Sequence, residues 1–267
     1  MLRREWRRPR PGDAPASAEA APRLWDTRFV SLPTSAGARS QVLLVASDVT
    51  EQRAEAEKRF EAALAQREML VKEVHHRIKN NLQGVAGLLQ QNAARHPEVA
   101  AVLTESVSQV QAIAQVYGLQ VGSSGPLRVA TMVEAIAQSV QRTFGRAVQA
   151  QQADAEVRRL LLPEAESIPI ALTLNELLTN AVKHSPSGSE VQCELALDGD
   201  ALRVRIRNAG RLREGFSLAQ FPGGVSGLGL VRALLPRRSA RFTLQQQGDA
   251  VLAEVLLQPP SVQRPGD

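Results

Sequence analysis

The sequence predicts an α+β chain in two parts. A pair of long amphipathic helices comes first, and a segment in which helix and strand signals alternate follows. Three observations carry this. Val71, Val74, Ile78, Leu82, Val85 and Leu89 recur at gaps of three and four, the spacing of one helix face. Val99, Leu103, Val110, Ile113 and Tyr117 repeat that spacing in a second helix. From about Leu127 a helix near Val129 to Phe144 gives way to strands near Val157 to Leu162, Glu190 to Leu197 and Leu202 to Arg207, with another helix and a hairpin closing the chain.

Composition narrows the setting. With 267 residues, 43% of them hydrophobic, the chain can bury one or two ordinary cores. No run of about 18 apolar residues predicts a membrane span, and the amino terminus has no apolar signal core. The single cysteine, Cys193, cannot form an internal disulfide and fits a reducing compartment, so the cytoplasm is expected. The net charge of +5 comes from dispersed arginines, and aromatics make up only 3%, which leaves little surface for stacking bases; no nucleic-acid partner is expected.

Along the chain, residues 1–23 are rich in Arg, Pro and Ala without an apolar period and are expected to be a disordered tail. Leu24 to Leu32 and Gln41 to Ser47 read as two strands joined by a turn from Pro33 to Gly37. A long helix runs from Thr50 to about Arg95, with Asp48 or Thr50 as N-cap and Pro97 ending it. At 100° per residue His75 falls on the flank of the apolar stripe and His76 nearly opposite it, facing solvent. Glu73 and Asn80 share the His76 side at i−3 and i+4. A helical histidine pair also fits a solvated face or a core histidine. The charged and amide neighbours of His76 suit phosphate chemistry, whereas His75, near the seam, is structural. A second helix, about Glu98 to Gln120, completes a hairpin with one apolar face. Neither helix is buried without a partner, which predicts a homodimer built on a four-helix bundle.

On the helix from about Ala165 to His184, Ile170, Leu174, Leu177, Leu178 and Ala181 form the buried side and leave Glu176, Asn180, Lys183 and His184 on the other. A carboxylate and an amide oxygen one turn apart can hold Mg²⁺ with the help of water, and Lys183 can meet a phosphate. The run Gly223-Gly224-Val225-Ser226-Gly227-Leu228-Gly229-Leu230 leads into a helix from Val231 to Leu235, where free N–H groups and the helix dipole favour phosphate. A glycine pair by itself equally makes a loop or a cap. Between these segments Arg207-Asn208-Ala209-Gly210 ends a strand where a base edge can be read.

Together these residues resemble the sensor histidine kinases of two-component systems, in the branch related to HWE kinases whose acceptor box reads His-Arg-x-Lys-Asn, here His76-Arg77-Ile78-Lys79-Asn80. The likeness covers about residues 65 to 258. It implies a signalling helix with a dimerisation and histidine phosphotransfer domain over 51–123, a GHKL/Bergerat-type α/β sandwich that binds ATP over 124–260, and a short tail over 261–267. By the same likeness His76 is the phosphoacceptor, Glu176 and Asn180 are N-box residues around Mg²⁺, and Lys183 and His184 are their phosphate-side neighbours. Asn208 and Gly210 stand where the family has an Asp-x-Gly adenine reader, and Gly227, Leu228 and Gly229 match the second glycine box. The implied cofactors are ATP and Mg²⁺, and the implied partner is the receiver domain of a response regulator. Residues 24–50 resemble the closing hairpin of a PAS sensor domain, with Asp48-Val49-Thr50-Glu51 as its exit, but are far shorter than a whole one.

Two positions depart from the pattern. Asn208 replaces an aspartate, and a neutral acceptor in place of a charged one weakens the adenine contact by ~1 kcal/mol. Arg77 follows the acceptor where many such kinases carry an acid, so Glu73 is expected as the base. Two other readings fit the sequence: a GHKL-type serine kinase, and a non-catalytic dimeric scaffold with a degenerate ATP cleft.

Overall fold

A computed structural model of the chain describes residues 6–7, 23–32, 41–122, 126–152, 155–218, 224 and 227–264. It divides into two compact units, Met1–Met69 and Leu70–Asp267.

In the first unit β1 (Trp6–Arg7), β2 (Leu24–Leu32) and β3 (Gln41–Asp48) form a small antiparallel sheet in that order. The β2–β3 register runs from Trp25 opposite Asp48 to Leu32 opposite Gln41. Trp6 pairs with Trp25 and Arg7 with Leu24, so Trp6 and Arg7 of the expected tail form a strand. The rest of residues 1–22 and the turn from Pro33 to Gly37 lie outside the described residues. Helix α1 (Thr50–Arg95) starts directly after the sheet. Of its two candidate caps Asp48 does the capping: its Oδ1 accepts the Thr50 N–H at 3.0 Å and the Thr50 hydroxyl at 2.6 Å. Those bonds, the hydroxyl foremost, hold the Asp48 carboxyl below its ordinary range.

In the second unit α2 (Ala100–Gly122) is followed by β4 (Leu127–Arg128), α3 (Val129–Phe144), β5 (Val148–Gln152), a 3-10 turn (Val157–Arg159), β6 (Leu161–Leu162), α4 (Glu164–Lys183), β7 (Val191–Asp198), β8 (Ala201–Ala209), α5 (Gly227–Leu234), β9 (Ala240–Gln247) and β10 (Ala250–Leu257). Five strands form one sheet in the order β5-β7-β8-β10-β9. Only β5–β7 is parallel, and the chain makes the crossover that a parallel pair requires through α4. Val191, Cys193 and Leu195 on β7, Val204 and Ile206 on β8, and Ala253 and Val255 on β10 alternate inward. They meet Met132, Val133 and Ile136 of α3 and Ile170, Leu174 and Leu178 of α4 in one core. The opposite face stays polar: the Arg205 Nε donates to Glu254 at 2.8 Å across β8 and β10. The result is a two-layer sandwich with helices on one side of the sheet.

Three expectations are corrected. Val157 to Leu162 is not one strand, because Val157, Leu160 and Leu162 all turn inward at gaps of three and two, which a 3-10 turn followed by a two-residue strand accommodates. Residues 261–264 are no tail: Val262 is in the core, Ser261 shares a 2.7 Å hydrogen bond with Ser239, and Gln263 bridges to Leu161. Finally, α2 buries Val107, Ala112, Ala114 and Val116, packing on α3 and α4, while Val110, Ile113 and Tyr117 of the expected stripe are only half-buried. The sandwich covers a side of α2 that spacing alone did not single out. Along α1 only Ala86 is buried, and Met69 and Leu88 are 71% and 64% exposed.

Candidate functional site

The exposed histidine sits as expected. His76 lies on the solvent side of α1 and its Nδ1 is 3.2 Å from the Asn80 amide nitrogen, one turn on. His75 is half-buried with its ring 5.4 Å from that of Tyr117 on α2, and its Nδ1 is buried without a hydrogen-bond partner. Glu73 does not bond to His76. Its carboxylate accepts from the Arg77 Nε at 2.6 Å, and that bond holds its pKa below the ordinary value. Glu73 is therefore a weaker base here than its spacing from His76 suggests, while Asn80, expected on the same side at i+4, is the one of the two that bonds to the ring.

The other residues gather around α4. Glu176 was expected on an exposed face and is instead 2% exposed, because α2 lies over that face. Gln109 Nε2 donates to its Oε1 at 2.8 Å, and the Gly227 N–H donates to its Oε2 at 3.1 Å. Burial pushes its carboxyl up, the Glu105 charge adds to that, and the two hydrogen bonds and Lys183 oppose it. Asn180 follows one turn later, half-buried. Lys183 reaches Glu105 at 3.4 Å. His184 ends the helix, its N–H bonded to the Asn180 carbonyl at 3.0 Å. A third link, Ser108 Oγ to Asn175 Oδ1 at 3.0 Å, completes a polar seam between α2 and α4. Glu105, Ser108 and Gln109 were not singled out from sequence. Their signal is a polar set at i, i+3 and i+4 on a helix otherwise rich in Val and Ala.

The glycine box is shifted. Helix α5 begins at Gly227, four residues earlier than expected, so Gly227, Leu228 and Gly229 form its first turn. The N–H of Gly227 is already committed to Glu176. Gly223, Val225 and Ser226 lie outside the described residues. At the end of β8, Asn208 is 6% exposed and its amide donates to the Ala209 carbonyl at 3.0 Å, leaving its Oδ1 without a hydrogen bond among the described residues. Gly210 has φ +154°, and a Cβ there would lie 3.0 Å from the His184 carbonyl oxygen. The strand end thus rests against the end of α4 and brings Asn208, Gly210 and His184 together, while Gly227 reaches the same helix at Glu176. No hydrogen bond among the described residues joins His76 or Glu73 to this group.

For a cation, α4 offers a carboxylate and an amide oxygen one turn apart, and no group of three or more His, Cys, Asp or Glu side chains that could hold a metal occurs among the described residues. Such a donor set fits Mg²⁺, which binds through one or two carboxylates and fills its shell with phosphate oxygens and water.

Two family models match in sequence within the second unit: residues 73–144 the family described as histidine kinase, and residues 127–248 the histidine kinase-like ATPase domain. Over these residues the chain matches a histidine kinase domain pair. The sensor histidine kinase PdtaS of Mycolicibacterium smegmatis is 29% identical over 218 residues, which are 77% of this chain and 41% of that protein. PdtaS of Mycobacterium tuberculosis is 28% identical over 75% of this chain and 40% of its own length. The chain therefore spans about two-fifths of the length of these curated relatives. The histidine kinase domain of the blue-light activated kinase of Erythrobacter litoralis shares the fold, with a TM-score of 0.50 at 18% identity over 72% of this chain and 94% of that one. The second family match implies that the histidine kinase pair binds ATP. No helix among the described residues is long and apolar enough to cross a membrane.

Proposed function

We propose that the chain is the transmitter part of a two-component sensor kinase of the HWE-related branch, that it phosphorylates its own His76 from Mg·ATP as a homodimer, and that it passes the phosphoryl group to an aspartate on the receiver domain of a response regulator in the cytoplasm. The observation that carries this reading is the exposed His76 ring with Nδ1 fixed by Asn80, on the helix that leads into an ATP-binding sandwich. With the Asn80 amide nitrogen donating to Nδ1, the ring proton sits on Nε2, and loss of that proton makes Nε2 the nucleophile. An N–P bond forms there as the bond from the terminal phosphorus to the bridging oxygen breaks and ADP leaves. Glu73 takes the released proton once it lets go of Arg77, an exposed pair that opens readily.

Within the sandwich Glu176 and Asn180 are assigned to Mg²⁺, which would neutralise phosphate charge, with Lys183 and His184 beside the phosphates. Asn208 and Gly210 take the adenine, and Gly227, Leu228 and Gly229 the phosphate loop. The apolar side chains left exposed along α1 support a second copy as the covering surface. Residues 24–50 are assigned as the closing hairpin of a PAS domain, residues 51–123 as the phosphotransfer part and residues 124–260 as the ATPase part.

One observation favours a non-catalytic scaffold: both oxygens of Glu176 are engaged by protein groups. Purified chain with labelled ATP separates the readings. The kinase reading expects an acid-labile, base-stable phosphate that disappears in His76→Ala and largely survives in His75→Ala. Acid-stable product would point to a serine kinase of the same fold, and no product to the scaffold.

A further inference from the structure

A cleft of about 460 Å³ opens where α1, α2 and α3 meet. Its charged lining groups are Lys79 of α1 and Arg142 of α3, and no carboxylate lines it. Neither cation has an ion-pair or hydrogen-bond partner among the described residues. Gln83, Gln90, Gln111 and Gln115 add amides that both donate and accept. Lys79 is held rather than free to swing: its stem crosses α2 so closely that a Cβ on Gly118 would lie 3.3 Å from its Cδ. Two uncompensated cations in a concave, partly enclosed site concentrate positive potential there.

The cleft is separate from the residues assigned to the nucleotide. At 100° per residue, Gln111 and Ala114 lie across α2 from Glu105 and Gln109, which hold α4, and Gln115 lies to one side of them. Its size lies within the range of small-molecule sites, about 300–1,000 Å³. Its lining contains no aromatic ring, so a base has nothing to stack on.

We propose that this cleft binds a small phosphorylated sugar or polyol, with the phosphate on Lys79 and Arg142 and the hydroxyls on the glutamine amides. The mixture decides the class: cations without acids select an anion, and amides around them reward a ligand that carries hydroxyls beside its phosphate. Bound there, the ligand would tie α1, α2 and α3 together on the flank of α2 away from Glu176.

Calorimetric titration of the full chain with glucose phosphate and glycerol phosphate, in saturating ADP to block the nucleotide cleft, tests this. Saturable binding of at least one is expected, with at least a tenfold loss in the Lys79→Gln, Arg142→Gln double variant. ADP binding measured on that variant checks that its sandwich is intact. Absence of saturable binding by both probes, or equal binding by the double variant, overturns the proposal. Equal affinity for inorganic phosphate overturns it too, because the amides would then contribute nothing.

Discussion

Gln109 Nε2 lies 2.8 Å from Glu176 Oε1, so a side chain of the helical hairpin holds the buried carboxylate of the ATPase helix. With Lys183 drawn to Glu105, two groups assigned to the nucleotide are engaged by α2 in this conformation. Cutting the bond in Gln109→Ala removes a hydrogen bond to a buried carboxylate, which costs ~1–2 kcal/mol. For a unit of this size that is a Tm lower by about 3–6 °C. If the seam restrains the carboxylate, the same variant should autophosphorylate faster than the parent. Thermal unfolding and labelled ATP on one preparation read both effects, and a slower reaction would make Gln109 a support of the site and not a restraint on it.

The environment of Glu176 sets a pH dependence. Burial raises its carboxyl above the ordinary value of 4.5. A raised folded-state pKa means that this group stabilises the fold below its unfolded value and that the contribution is lost as pH rises through the folded one. Cation binding needs the ionised form, so Mg·ADP affinity should run the other way and increase through that same interval. Titration calorimetry across the acid range should place the midpoint above the ordinary carboxylate value, and Glu176→Gln should flatten the curve. An unshifted midpoint would mean that the carboxylate is reached by solvent.

The boundaries of α1 and α3 were legible because each carries a sustained apolar period and an unambiguous stop: Pro97 beyond one, Gly145 with φ 65° after the other. The exposed His76 followed from the same geometry. Less visible was β5, whose Val148-Gln-Ala-Gln-Gln offers little apolar alternation and owes its place to pairing with β7. The burial of Glu176 was hidden for another reason. Helix periodicity says which side of α4 meets the sheet but not that α2 covers the other, and a carboxylate that looks solvent-facing on a wheel is then enclosed by a different helix.

Cys193 reports on the packing of the sandwich. It points into the core from β7, and burial pushes its thiol up to about 12. As the single cysteine of the chain, it gives one unambiguous signal. Thiolate is the reactive form, so native protein near neutral pH should react with a maleimide only through opening, about 10³-fold more slowly than protein in denaturant. Rapid labelling of the native chain would contradict the cover that α3 and α4 give to the sheet.

Gly210 and Gly188 form an internal comparison for the strand end assigned above to the adenine. Both have positive φ, +154° and +86°, so alanine is strained at either. They differ in space: a Cβ at Gly188 meets nothing within 4 Å, whereas one at Gly210 lies 3.0 Å from the His184 carbonyl oxygen and 3.3 Å from Asn208 Nδ2. Gly188→Ala should therefore cost only backbone strain, ~1 kcal/mol, and Gly210→Ala about 2–3 kcal/mol in denaturant unfolding. ADP affinity should fall in Gly210→Ala, because the added methyl displaces either the end of α4 or the Asn208 amide, and stay unchanged in Gly188→Ala. Equal losses of ADP affinity at the two positions would show that the strand end does not shape the nucleotide site.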